Sequence, residues 1–66
     1  MTIHVSNNVL SGLHKAIREL MNDRADHVSG GGCKDYSEYS HSCGVIEGLA
    51  MAERELLDLN ERMERE

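Results

Sequence analysis

The chain contains no proline, no phenylalanine and no tryptophan, and only two tyrosines. Without the bulky rings that dominate small cores, any core here must be aliphatic and thin. The absence of proline removes the strongest helix breaker, and Leu, Ala, Glu, Arg and Met are common, which favours helix over strand or disorder. No stretch approaches 18 consecutive apolar residues, so no membrane-spanning helix is expected. The opening MTIHVSNN has no basic segment followed by an apolar run, so no secretory leader is expected either. With 66 residues there is room for one domain, marginal without a staple, a metal or a partner.

Charge is unevenly placed. Residues 1–34 carry four Lys/Arg against three Asp/Glu, and residues 35–66 carry three against nine, giving the net −5. An acidic second half argues against direct binding to a phosphate backbone, which rests on clustered Lys and Arg.

What is present is helical periodicity. Residues 1–7 read as a loose arm, with Thr2 to Val5 too short to stand as a strand. Ser6, Asn7 and Asn8 offer N-cap side chains, after which Leu10, Leu13, Ile17, Leu20 and Met21 recur at helical spacing. The opposite face carries His14, Lys15, Arg18, Asp23 and Arg24. Helix therefore spans about 8–27. Ser29 and three consecutive glycines then impose a turn over 29–34, and Asp35 three residues before Glu38 has the spacing of a capping box. A second helix follows over about 36–64. The resulting fold class is all-α, an antiparallel helical hairpin forming a single domain over 1–66.

The strongest pattern is in the second helix. Val45, Leu49, Ala52, Leu56, Leu59 and Met63 are spaced 4, 3, 4, 3, 4, a heptad-type seam. The first helix is too short to cover it, so the seam is the expected interface with another copy or another protein. Gly44, Gly48 and Ala52 form a line of small residues at i, i+4 and i+8. Each glycine inside a helix costs roughly 1 kcal/mol relative to alanine, and a tight helix crossing at Gly44 and Gly48, either of the first helix onto the second or of the second onto a copy of itself, is the expected compensation. The pairs Asp58 with Arg62 and Glu61 with Arg65 mark a solvated face.

His27, Cys33, His41 and Cys43 are all legitimate zinc ligands. Their order, His-x5-Cys-x7-His-x-Cys, lacks the close pairs of zinc fingers, and on a helix His41 and Cys43 point about 200° apart. No metal, cofactor or catalytic residue is therefore expected. A Cys33–Cys43 disulfide needs α-carbons within about 7 Å, whereas ten mostly helical residues separate them by about 12 Å. Reduced thiols follow, with Cys43 as a small core residue and Cys33 in the loop. A two-helix chain cannot enclose a catalytic pocket, so no enzymatic activity is expected. Tyr36 and Tyr39 are expected to pack over the turn.

The stretch CKDYSEYSHSCGVIEGLAMAERELLDL resembles a pattern in small tailed-bacteriophage proteins: Asp-Tyr-x-x-Tyr, then Gly-x-Ile-x-Gly-Leu and a charged helical tail. Asp35, Tyr36, Tyr39, Gly44, Ile46, Gly48, Leu49 and Ala52 carry it. The resemblance implies a non-enzymatic phage structural or assembly accessory protein, located in the virion or the host cytoplasm. The alternative is a phage inhibitor whose acidic half engages a basic host nucleic-acid-binding or defence protein.

Overall fold

A computed structural model describes residues 8–65; the expected arm at 1–7 lies outside the described residues. Two helices, α1 (Asn8–Ser29) and α2 (Tyr36–Arg65), pack against one another as an antiparallel hairpin measuring 48 × 20 × 15 Å. The expected fold class is the observed one.

The boundaries follow from local hydrogen bonding. The last turn of α1 runs two residues beyond the expected end because Gly30 N–H donates to the Asp26 carbonyl at 2.8 Å. Gly31 then takes φ 75°, the left-handed conformation that a Cβ disfavours. With Gly31 so placed, its N–H reaches the Val28 carbonyl at 3.3 Å and the Gly32 N–H reaches the His27 carbonyl at 2.9 Å. This is a Schellman closure, and it satisfies carbonyls that the end of a helix would otherwise leave open. Asp35 starts α2 by accepting the Glu38 N–H on Oδ1 at 2.8 Å. The reciprocal half of the capping box is displaced by one residue: Glu38 Oε2 accepts from Lys34 N–H at 3.2 Å, not from Asp35.

Packing is narrow. Along α1 the residues turned toward α2 are Leu10, His14, Ile17, Met21, Arg24 and Val28, at spacings of 4, 3, 4, 3, 4. On α2 the facing row is Ser42, Val45, Ile46, Leu49, Glu53, Leu56 and Asn60. Among the described residues only Ile17 and Leu56 are buried hydrophobics, and Ser42, fully enclosed, marks the closest packing.

Two expectations are corrected here. His14 belongs to the inter-helix face and not to the solvated one. The seam of Val45, Leu49, Ala52, Leu56, Leu59 and Met63 is split: Val45, Leu49 and Leu56 turn toward α1, while Ala52, Leu59 and Met63 stay exposed. Because His14 lies opposite Glu53, Leu56 falls opposite the first turn of α1 and is covered by it. The uncovered overhang is therefore shorter than the sequence suggests.

The crossing at Gly44 and Gly48 is also corrected within the chain. A Cβ at either position would meet nothing within 4 Å, and both glycines are exposed on α2, away from α1. The tight point is Ser42, one turn earlier.

Leu56→Ala should lower the unfolding free energy by about 2–5 kcal/mol, the usual cost of truncating a buried leucine, measurable by urea denaturation. Gly44→Ala should raise it by up to about 1 kcal/mol, since the added methyl meets open space and helix propensity improves.

Candidate functional site

The chemically richest part of the chain is the closed end of the hairpin, where the last turn of α1, the glycine turn and the first turn of α2 converge. His27 lies in the last turn of α1, and its ring rests on the turn: a Cβ at Gly32 would stand 2.5 Å from Nδ1 and 2.6 Å from Cε1. Only glycine at position 32 admits the imidazole there. The ring thereby presents Nε2 to Glu38 Oε1 at 3.2 Å. Glu38 is fixed in turn by the Lys34 N–H on its other oxygen.

Cys33 leaves the turn beside both. Its Sγ approaches the Ser42 hydroxyl at 4.0 Å, and that hydroxyl also accepts from Arg24 Nη1 at 3.4 Å. One ligand atom each from His27, Cys33 and Glu38 lies within 4.8 Å of the other two. The structure thus brings together two of the four residues weighed in the sequence, His27 and Cys33. It excludes His41, which is exposed on the outer face of α2, and Cys43, and it adds Glu38. Sequence reasoning assigned Glu38 to capping alone. The signal it lacked is the position of the His27 ring, which depends on the chain reversal.

Cys33 and Cys43 are free thiols, each half-buried. Tyr36 and Tyr39 stack loosely, with ring centroids 6.3 Å apart. The Tyr39 phenol is held above its ordinary ionisation range. The largest cause is a hydrogen bond with the Cys43 thiol one turn on; negative charge on Cys43, burial, and then charge on Cys33 and Tyr36 act in the same direction.

A second polar group sits midway along the hairpin. His14 Nε2 lies 2.9 Å from Glu53 Oε2, with the two side chains only 12% and 15% exposed, and Arg18 reaches the same carboxylate at 3.2 Å from the solvent edge. Both Glu53 oxygens are engaged from α1, Oε2 by His14 and Arg18 and Oε1 by Arg18, so the trio fixes one helix against the other. An open cleft of about 340 Å³ lined by Leu20, Asp23, Arg24 and His27 adjoins the closed end. It lies on α1 and encloses nothing.

No helix among the described residues is long and apolar enough to cross a membrane. Compared with known families, curated proteins and solved structures, the sequence matches none.

Raising the phenol ionisation favours the neutral form in the folded state, so Tyr39 contributes stability below its unfolded value and loses it as pH rises past about 10. Spectrophotometric titration should show the Tyr39 midpoint moving down in Cys43→Ala, with Tyr39→Phe identifying the signal; an unmoved midpoint would show that the thiol is not the cause.

Proposed function

We propose that the chain is a non-enzymatic helix-helix association module that a second copy of itself completes, most simply as a four-helix bundle. The observation that carries this reading is a charge-free apolar strip along one side of the hairpin. Stepping round each helix at about 100° per residue, Val9, Leu13, Ala16 and Leu20 of α1 fall on the same side as Val45, Gly48, Ala52, Leu59 and Met63 of α2. Leu13, Leu20, Leu59 and Met63 are 51%, 56%, 41% and 43% exposed. Among the described residues no Lys, Arg, Asp or Glu lies within this sector; Asp23 and Glu55 flank its outer edge, and Arg24 and Glu38 its seam edge at the closed end.

An apolar strip is self-complementary, as a two-fold interface requires, so a second copy is the occupant that suits it. Gly48 and Ala52 lie within it, and the open space over Gly48 leaves room for a neighbouring helix to approach closely. On this reading the expected interface residues Ala52, Leu59 and Met63 face the copy, whereas Val45, Leu49 and Leu56 are shared with α1.

The biological setting we assign is the one implied by the resemblance carried by Asp35, Tyr36, Tyr39, Gly44, Ile46, Gly48, Leu49 and Ala52: a structural or assembly accessory of a tailed bacteriophage, in the virion or the host cytoplasm. An apolar docking strip suits this role better than inhibition through the acidic face, which would place charge at the contact.

Light scattering after size exclusion, over a range of concentrations, tests the association. The wild-type chain should give a discrete dimer whose mass changes little with salt. Leu59→Asp and Gly48→Leu should each give a monomer that keeps its helicity, because neither side chain is needed by α1. A wild-type monomer, or a dimer indifferent to both substitutions, would overturn the reading.

A further inference from the structure

We propose that the closed end of the hairpin is a zinc site, with His27 Nε2, Cys33 Sγ and a Glu38 carboxylate oxygen as its three protein ligands and water in the fourth position. The ligand atoms already lie within 4.8 Å of one another. Tetrahedral zinc, with bonds of about 2.0–2.3 Å, sets its ligands about 3.3–3.6 Å apart, so the cluster needs to contract by about an ångström. The His27 to Glu38 separation of 3.2 Å needs no contraction, and the ion would replace that contact.

Two features hold His27 and Glu38 in place. The His27 ring is seated on Gly32, where any Cβ would collide with it. Glu38 Oε2 is tied to the Lys34 N–H, which leaves Oε1 turned toward His27. Both are outer-shell contacts of the kind that orient ligands around a metal.

The donor set selects the metal. One thiolate, one imidazole and one carboxylate suit Zn²⁺, while magnesium and calcium require oxygen ligands. Three protein ligands with an open position depart from the closed four-ligand pattern of purely structural sites. Binding requires the Cys33 thiol to lose its proton, so uptake releases a proton and weakens at low pH. His41 and Cys43 take no part, which is why the spacing of the four candidate residues did not read as a zinc motif.

The test uses the full-length reduced chain. Titration with Co²⁺ should produce a thiolate-to-cobalt charge-transfer band and tetrahedral d–d bands that saturate at one ion per chain and are abolished by Zn²⁺. Zinc should raise the melting temperature, and a chelator should reverse the rise. Cys33→Ser should lose the charge-transfer band, and His27→Gln and Glu38→Gln should each weaken Zn²⁺ binding at least tenfold. The glutamine at 38 keeps an oxygen for the Lys34 N–H, so the cap survives. His41→Gln and Cys43→Ser should bind as the wild type does. The proposal is overturned if no charge-transfer band forms, if melting is indifferent to zinc, or if Cys43→Ser removes the band while Cys33→Ser keeps it.

Discussion

The relative placement of the two helices depends on polar contacts, because the apolar ones are too few to fix it. With only Ile17 and Leu56 as buried hydrophobics among the described residues, a slip of one helical turn would cost little in apolar burial. The same slip would be expensive at Glu53. Moved one turn toward the start of α1, its carboxylate would face Leu10 in place of His14 and would draw away from Arg18, leaving a largely buried charge without those partners. Breaking such a pair by removing one side typically costs several kcal/mol. Arg24 to Ser42 and His27 to Glu38 repeat the constraint toward the closed end. Register is thus specified by the penalty on the alternatives more than by the strength of any one pair.

A seam that contains His14, Arg24, Ser42, Glu53 and Asn60 has correspondingly fewer positions for aliphatic side chains. Leu13, Leu20, Leu59 and Met63 have been displaced to one flank, where they pack against little of their own chain. On so small a molecule, four half-exposed side chains along one side stand apart from singly scattered surface leucines. Polar specification of the hairpin and the apolar strip therefore have one origin: residues that could have filled the seam line its edge.

Much of this fold was legible in the sequence. Helical spacing, the glycine turn and Asp35 three before Glu38 carry local information, and they place both helices to within two residues. What failed was the face. A heptad count over Val45 to Met63 tracks apolar residues, yet α1 packs on a row offset toward Ser42, Glu53 and Asn60, which carry no apolar signal. Gly44 and Gly48 misled for a related reason. Small residues indicate where a helix can be approached, not which neighbour approaches, and among the described residues nothing does. The closed-end cluster was half legible: His27 and Cys33 stood out by residue type, but Glu38 had a sufficient explanation as a cap.

That double use of Glu38 explains how so small a chain can hold three ligands in place. His27, Cys33 and Glu38 fall within one short segment that the fold already orders. The carbonyl of His27 accepts the Gly32 N–H that closes α1, while the His27 ring lies on the same glycine. Glu38 receives the Lys34 N–H with one oxygen while its own N–H bonds Asp35 at the start of α2. Three of the hydrogen bonds that end one helix or begin the other, Gly32 N–H to His27, Lys34 N–H to Glu38 and Glu38 N–H to Asp35, also restrain His27 or Glu38. Ordering the turn is a cost of forming the hairpin at all, so an arriving ion meets a loop whose entropy has already been lost, and little further ordering stands between the folded chain and a closed coordination shell.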